Sequence, residues 1–259
     1  MCELLGLSSN KPTTMNRSFS SLAERGGNSG PHRDGWGVTF YDSVKGCRNF
    51  KDTNPSCCSE ISAFVQQHRI VSPLIIAHIR QANCGEVRSE NTHPFTRELW
   101  GECWTFAHNG QLNATLKLNT GDFTPMGETD SELAFCWLLD QIKTHFITRP
   151  ESAFDLYEFI AEKARYLNQH GVFNMLLTDG RYLMAFCGSK LAWVKREAPF
   201  GMVNYSEGKG EHDLAQLYQD GDQVNLIATE PLTDENWQRM SPNEYALFKE
   251  GRCMSCEFN

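Results

Sequence analysis

The sequence has no apolar run of the roughly 20 residues that a membrane-spanning helix requires. Its N-terminus lacks the charged and then apolar segments of a secretory signal, because polar residues begin at Ser8. The net charge is −8, so the chain also lacks the cationic excess that attracts nucleic-acid phosphates or anionic membranes. These absences predict a cytoplasmic protein that binds neither nucleic acid nor membranes.

Common cofactor and metal motifs are missing as well. There is no GxxxxGK followed by Ser or Thr and no well-placed GxGxxG, so we expect no nucleotide cofactor. His78, His93 and His108 do not occur at HxxxH or HExxH spacing, and we therefore expect no metal site. We interpret these histidines as strand-end residues whose ring nitrogens bond to the backbone.

Cysteine, in contrast, is plentiful, with ten residues in the chain. That number would suggest disulfides in a small secreted domain, but a chain of 259 residues without a secretory signal favours mostly reduced thiols. Cys253 and Cys256 form a single CxxC pair with no second pair and no histidines at ligand spacing. We interpret this pair as incidental rather than as a zinc or redox site.

The composition is that of a globular protein, with 40% hydrophobic and 11% aromatic residues. Such a chain can bury a large core, and since no linker-like segment divides it, we expect one domain over residues 1–259. Apolar spacing predicts amphipathic helices at 131–146, with Asp130 in the capping position, and at 153–167.

Strand-length apolar runs lie on both sides of these helices, and Asp179-Gly180 is a hairpin signal between two of them. This order predicts two sheets packed together with helices outside. The predicted strands are CELLGLSS, GWGVTFYD, PLIIAHIR, CWTFAHNG, VFNMLLTDG, RYLMAFCG, LAWVKRE and QVNLIATE.

The chain begins MCELLG, which places a thiol directly after the initiator methionine. For a single cysteine, the simplest interpretation is a small buried hydrophobic residue. Removal of Met1 would instead leave an α-amine and a thiol in one residue. Their reference pKa values are about 7.7 to 8.0 and 8.5, so proton transfer between them costs about 1 kcal/mol. Cys2 is therefore a candidate nucleophile that carries its own base.

Several polar segments follow the apolar runs: HIRQANCG with Arg80, NTHPF with His93, HNG with Asn109 and Gly110, and GETDSEL with Asp130. Taken singly, each has an ordinary explanation as a surface charge, a turn or a helix cap. In this order, together with CELLG and HRDGWGV, they resemble the class II glutamine amidotransferases, which are N-terminal nucleophile hydrolases. The resemblance spans about half of the chain, and AHIR, NTHPF and ATEPLT are most similar to small stand-alone members.

The resemblance implies a four-layer αββα sandwich with two mainly antiparallel sheets. It implies that the Cys2 thiolate attacks the side-chain amide of glutamine or of another γ-glutamyl compound, giving a γ-glutamyl thioester. Asn109 and Gly110 would then supply hydrogen bonds to the oxyanion, which are worth about 10² to 10³ in rate for each donor.

The same resemblance implies three substrate-binding residues. Arg80 would hold the substrate carboxylate, Asp130 its ammonium group, and His93 would shape the substrate loop. The sequence departs from larger family members after the arginine, where Gln81 and Asn83 replace an aromatic residue and a threonine. This difference leaves the choice between glutamine and another γ-glutamyl substrate open.

Two alternatives remain at the level of sequence. Because the amidase-like core would use most of the chain, we expect that ammonia either passes to a separate acceptor protein or is simply released by a γ-glutamyl hydrolase. A binding or regulatory module that keeps the fold and has lost catalysis is the other alternative. Retention of Met1 in the native host would favour that module.

Overall fold

The structure is a computed structural model that describes residues 2–83, 85–207 and 210–255. The strands in chain order are β1 (Glu3–Thr13), β2 (Trp36–Ser43), β3 (Gly46–Asp52), β4 (Ser72–Ile79), β5 (Phe95–Leu99), β6 (Glu102–Leu112), β7 (Gly171–Thr178), β8 (Leu183–Phe186), β9 (Ala192–Arg196), β10 (Met202–Asn204), β11 (Glu211–Asp213), β12 (Val224–Ala228), β13 (Gln238–Arg239), β14 (Tyr245–Lys249) and β15 (Arg252–Cys253). The helices are α1 (Asn16–Glu24), α2 (Glu60–Gln67), α3 (Asp130–His145) and α4 (Ala153–Asn168), with short 3-10 helices at Ser89–Asn91 and Leu214–Gln216.

Two large sheets contain most of these strands. The first has seven strands in the order β13-β9-β12-β1-β4-β2-β3, and the second has six in the order β15-β14-β8-β7-β6-β5. Strands β10 and β11 form a separate ribbon. All pairings are antiparallel, and β1 lies between β12 and β4 near the middle of the first sheet.

Alternate side chains of the central strands face different layers. In β1, Leu4 packs between the sheets with Leu176 of β7, whereas Leu5 belongs to the core that the first sheet forms with α1 and α2. On the far side of the second sheet, Phe106 of β6 stacks on Phe135 of α3 with ring centroids 5.0 Å apart. The two-residue period of a strand therefore produces three apolar layers and the expected αββα sandwich.

The predicted elements differ from the structure mainly at their ends. Helix α3 begins at Asp130 itself, and its N-cap is Thr129, whose Oγ1 accepts a hydrogen bond from Glu132 N at 3.2 Å. The prediction of Asp130 as the cap is therefore wrong by one residue. The hairpin between β7 and β8 does turn at Asp179-Gly180, where Gly180 has a φ of 82°. Helix α2 was not predicted because its eight residues give too short a pattern.

No helix among the described residues combines the length and apolar character needed to cross a membrane.

Candidate active site

A cavity of about 30 Å³ lies where the ends of the central strands meet the start of α3. Five of the six site residues proposed from the sequence line it: Cys2, Arg80, His93, Gly110 and Asp130. The sixth, Asn109, is fully buried directly beside Gly110 in β6. Segments up to 128 residues apart in the sequence, from Cys2 to Asp130, thus meet at one site.

The antiparallel register of β1 and β4 brings Cys2 next to the arginine segment. Glu3 pairs with Ile79, so the residues just beyond this pair, Cys2 and Arg80, leave the sheet side by side. Gln81 N donates a hydrogen bond to Cys2 Sγ at 3.4 Å. Burial raises the pKa of the Cys2 thiol, and the Gln81 bond opposes that shift because it stabilises the thiolate. The resting thiol is therefore protonated and needs a base.

Asn109 is held by hydrogen bonds to both its side chain and its backbone. Its Nδ2 donates to Thr229 Oγ1 at 3.4 Å, and its carbonyl oxygen accepts from Asn174 Nδ2 at 2.9 Å. A side-chain amide has two N–H groups, so one remains for a ligand after the bond to Thr229. This geometry suits a fixed hydrogen-bond donor directly beside Gly110, which lines the cavity.

Gly110 occupies a position that no other residue can fill without movement of the backbone. A Cβ on this residue would lie 1.8 Å from Val172 O in β7 and 2.7 Å from His108 Nε2. The close approach exists because β6 and β7 pair here, with Gly110 opposite Phe173. A glycine at this point keeps the main chain accessible beside the cavity.

Arg80 is 3% exposed, and its guanidinium organises the loop that follows it. Nη2 donates to Gly85 O at 3.1 Å, and Nη1 donates to Glu86 O at 3.1 Å and to Asp34 O at 3.4 Å. From the sequence, the only function expected of Arg80 in the site was binding of the substrate carboxylate. The structure adds a second task, because the same guanidinium that lines the cavity also anchors residues 85–86.

The Asp130 carboxylate is the acidic group of the cavity. Its Oδ2 accepts a hydrogen bond from Leu112 N at 2.7 Å, and Oδ1 accepts from Ser131 N at 2.9 Å. These bonds connect the start of α3 to the end of β6. Since a carboxylate has about four acceptor sites, the group can also bind a cationic ligand.

His93 and His108 line the cavity, His78 packs against His93, and burial lowers the pKa of all three. His108 Nε2 lies 3.1 Å from Val172 O and Nδ1 lies 2.8 Å from Ser131 Oγ, which fits a neutral ring that donates to the carbonyl. His78 and His93 stack with centroids 4.1 Å apart. Of the expected ring-to-backbone hydrogen bonds, the one between His108 Nε2 and Val172 O is present in the described part of the chain.

Comparison with known proteins identifies the family. The model of the class II glutamine amidotransferases matches residues 1–259. The chain belongs to this family. Membership supports a glutamine amidotransferase function and implies glutamine as a substrate.

Relatives agree with this assignment over nearly the full length. The Escherichia coli K12 protein named "Putative glutamine amidotransferase YafJ" is 53% identical over 249 residues, which cover 96% of this chain and 97% of that protein. A solved structure of a "predicted glutamine amidotransferase" from Pseudomonas aeruginosa PA01 is 41% identical, with a TM-score of 0.76 and coverage of 98% of this chain and 99% of that one.

More distant structures share the fold. The Bacillus subtilis glutamine phosphoribosylpyrophosphate amidotransferase is 16% identical with a TM-score of 0.61, and the match covers 97% of this chain and 48% of that one. The αββα sandwich that the sequence motifs implied is therefore confirmed.

Two residues that hold Asn109 beside the candidate site were missed in the sequence. Asn174 lies within the apolar run VFNMLLT, where its Oδ1 accepts from the backbone N–H groups of Gly188, Ser189 and Lys190. Thr229 follows the apolar run NLIA of β12 and bonds to Leu4 N at 2.8 Å. A lone polar side chain within or directly after an apolar strand was the signal available, because buried polar groups need partners.

The sequence also led to expectations about metal binding and about the oxidation state of the cysteines. Among residues 2–83, 85–207 and 210–255, no group of three or more His, Cys, Asp or Glu side chains is arranged to hold a metal ion. Cys253 differs from the reduced thiol expected, because it is disulfide-bonded. Cys256 lies outside the described residues.

Proposed function

We propose that this amidotransferase is an N-terminal cysteine amidohydrolase in which Cys2, once Met1 is removed, attacks the side-chain carboxamide of glutamine. The observation that carries the proposal is the single cavity shared by Cys2, Arg80, Gly110 and Asp130. A nucleophile, an oxyanion site and opposite charges for the two ends of an amino acid occur together there.

The first step is activation of the thiol. Because burial raises the pKa of Cys2, the thiol is protonated until a base removes the proton. The free α-amine, with a reference pKa of about 7.7 to 8.0, is the base bonded within the same residue. The Gln81 N–H, 3.4 Å from Sγ, stabilises the thiolate as it forms. With Met1 attached, the nitrogen is an amide and no longer a base.

The second step is attack on the carboxamide carbon, which forms a tetrahedral oxyanion. We assign its hydrogen bonds to Asn109 Nδ2 and the Gly110 main-chain N–H. Asn174 and Thr229 hold Asn109 by its backbone and side chain before charge develops. Such fixed donors favour the oxyanion because they need no reorganisation during the reaction.

The third feature is recognition of the two charged ends of the substrate. Arg80 presents a cation to the α-carboxylate while it anchors the backbone of residues 85–86. Asp130 presents an anion to the α-ammonium group, and the neutral ring of His93 forms part of the wall. A free α-amino acid end is the ligand that fits this pair of charges.

Collapse of the intermediate releases ammonia, or an amine from a γ-glutamyl peptide, and leaves a γ-glutamyl thioester on Cys2. Water then hydrolyses the thioester to glutamate and regenerates the thiol. Glutamate release without an added acceptor is therefore the activity that the proposal requires. Transfer of ammonia to a separate acceptor protein would follow the same first half-reaction.

The decisive experiment compares processed wild-type protein with Cys2→Ala and with Cys58→Ala, an exposed thiol that serves as the matched control. Glutamate release is measured with glutamine and with γ-glutamyl peptides. We expect loss of activity only in Cys2→Ala, and the ratio of the two substrates identifies the preferred leaving group. Equal release from all three proteins would contradict nucleophilic catalysis by Cys2.

Two mass measurements distinguish the enzyme from a binding module that has lost catalysis. Intact mass of protein from its native host should show the loss of one methionine. A diazoketone analogue of glutamine should then attach covalently at residue 2, as mapped by peptide mass. Uniform retention of Met1, or attachment at another residue, would overturn the assignment.

A further inference from the structure

Two thiols from different sheets meet far from the candidate active site. Cys47 lies in β3 of the first sheet and Cys103 lies in β6 of the second, and their Sγ atoms are 2.9 Å apart. Both side chains are partly exposed. Cys103 and Asn109 are separated by six positions along β6, which is about 20 Å at the rise of a strand. The thiol pair therefore lies at the opposite end of the sandwich from the cavity.

Hydrogen bonds on both sides hold the two backbones in this position. Cys103 N donates to Val44 O at 3.1 Å, which attaches β6 to the turn between β2 and β3. The Tyr41 hydroxyl, from β2, donates to Cys103 O at 2.8 Å and lies 2.6 Å from Thr105 Oγ1. The hairpin that carries Cys47 is thus docked on the strand that carries Cys103, independently of any contact between the sulfur atoms.

The environment distinguishes the two sulfur atoms chemically. The hydrogen bond from the Cys47 thiol lowers the pKa of Cys103 to about 7. The same bond, together with burial, raises the pKa of Cys47. Cys103 is consequently the thiolate-rich member of the pair near neutral pH, and thiolates are the nucleophiles of thiol–disulfide exchange.

We propose that Cys47 and Cys103 form a redox-modification site, which a small-molecule disulfide oxidises to a bond joining the two sheets. The separation of 2.9 Å must close by only about 0.9 Å to reach the length of a disulfide bond. The elements that carry the thiols are already docked, so the reaction requires side-chain rotation rather than movement of a sheet. This inference does not depend on the proposed amidohydrolase activity.

The reaction proceeds in two exchange steps. The Cys103 thiolate attacks one sulfur of the small disulfide, forms a mixed disulfide and expels one small thiolate. Cys47 loses its proton to solvent and attacks the Cys103 sulfur, which expels the second small thiolate. The two protein thiols lose two electrons in total, and the small disulfide gains them to become two thiols.

The adjacent thiols of Cys57 and Cys58 provide an internal contrast. Their Sγ atoms are also close, at 3.2 Å, but they belong to neighbouring residues. Successive Cα atoms are about 3.8 Å apart across a trans peptide, below the roughly 4.4 to 6.8 Å found in disulfides. Proximity of the sulfur atoms therefore does not by itself predict a disulfide bond. The Cys57–Cys58 pair is the control for the Cys47–Cys103 proposal.

The test treats the full chain with oxidised glutathione, blocks the remaining thiols with N-ethylmaleimide and digests the protein with trypsin. Cleavage after lysine and arginine puts Cys47 alone in peptide 46–48 and Cys103 alone in peptide 98–117. The same treatment is applied to Cys47→Ser, to Cys103→Ser and to the control Cys57→Ser. Melting temperature is measured for each protein before and after oxidation.

We expect a cross-linked species of peptides 46–48 and 98–117 in the wild type and in Cys57→Ser, and its absence in Cys47→Ser and Cys103→Ser. Because the bond would connect residues separated by 56 positions, oxidation should raise the melting temperature by roughly 5 to 10 °C. Recovery of both peptides with blocked thiols would overturn the proposal. A persistent glutathione adduct on Cys103, or its pairing with another cysteine, would overturn it as well.

Discussion

Thr229 Oγ1 lies 3.4 Å from Asn109 Nδ2, and the same hydroxyl oxygen accepts a hydrogen bond from Leu4 N at 2.8 Å. One side chain directly after β12 therefore connects the N-terminal strand, which begins beside Cys2, with the proposed oxyanion donor. In the proposed mechanism, this connection sets the position of Cys2 relative to the Asn109 amide. We expect Thr229→Val to lower kcat for glutamate release about tenfold or more, because both partners lose their acceptor.

The conservative variant Thr229→Ser is the control for this prediction, since it keeps the hydroxyl and should retain most of kcat. Steady-state kinetics with glutamine give kcat and KM for each variant. Urea unfolding would report the separate cost of leaving the Leu4 N–H without a partner, about 1 to 3 kcal/mol. Full kcat in the valine variant would remove Thr229 from the positioning of Asn109.

Substitution of Gly110 should damage both folding and catalysis. The Cβ of Gly110→Ala would lie 1.8 Å from Val172 O, so the pairing of β6 with β7 must shift. We expect kcat to fall about 100-fold or more as the oxyanion donors move. Gly201→Ala is the matched control, because no atom lies within 4 Å of the added Cβ. Crystal structures or hydrogen exchange of β6 would show whether the strand has moved.

The charge of Asp130 should matter more for binding than for turnover. Asp130→Asn keeps the size of the side chain and an oxygen that can accept from Leu112 N, but removes the anion proposed for the substrate ammonium. We expect KM for glutamine to rise about 10-fold to 100-fold with a smaller change in kcat. Glu128→Gln, a nearby exposed carboxylate, is the control. A fall in kcat at constant KM would contradict the binding role.

An ion-pair network at the far end of the second sheet should contribute to stability. Arg149 Nη1 donates to Glu102 Oε2 at 2.6 Å, and Nη2 bonds to the fully buried carboxylate of Asp179. Removal of the arginine in Arg149→Met leaves the buried Asp179 carboxylate without its cationic partner, whereas Glu102 keeps its ion pair with Arg181. We expect a loss of about 3 to 5 kcal/mol in the free energy of unfolding.

Urea unfolding monitored by far-UV circular dichroism measures this loss. Lys143→Met is the control, because its partner Asp122 lies at the exposed surface and such pairs contribute little. Similar denaturation midpoints for both variants would show that the buried network does not stabilise the fold.

Stability should also decline in mild acid. Burial lowers the pKa of His78, His93 and His108, whereas unfolded histidines titrate near pH 6.5. Below about pH 6.5 the unfolded state therefore binds protons that the native state does not, and the free energy of unfolding falls. The maximal slope is about 1.4 kcal/mol per pH unit for each histidine.

Urea unfolding at several pH values between 7.5 and 5.5 tests this dependence. His78→Asn removes one of the three buried histidines and should reduce the slope by up to about 1.4 kcal/mol per pH unit. His68→Asn, a change at an exposed ring, is the control. A free energy of unfolding that is constant or rises toward pH 5.5 would contradict the buried neutral state of these rings.

The sequence by itself determined the order of the layers and pointed to residues that meet in one cavity, five of the six candidates lining it. The continuously apolar runs around Leu4 and Phe106 mark strands buried on both faces, since such strands need apolar side chains at successive positions. The family motifs made Cys2, Asn109 and Asp130 candidates because each motif keeps its chemistry within a few adjacent positions. These are local properties of the chain, and local properties can be read without a fold.

Only the tertiary structure decided which distant residues support those motifs. Thr229 reaches Leu4 across 225 positions, and Cys47 meets Cys103 across 56 positions and two sheets. The second task of Arg80, which anchors the loop at residues 85–86, was likewise absent from the sequence pattern. The physical reason is that strand register and sheet packing set these contacts, and neither has a signature in the neighbouring residues.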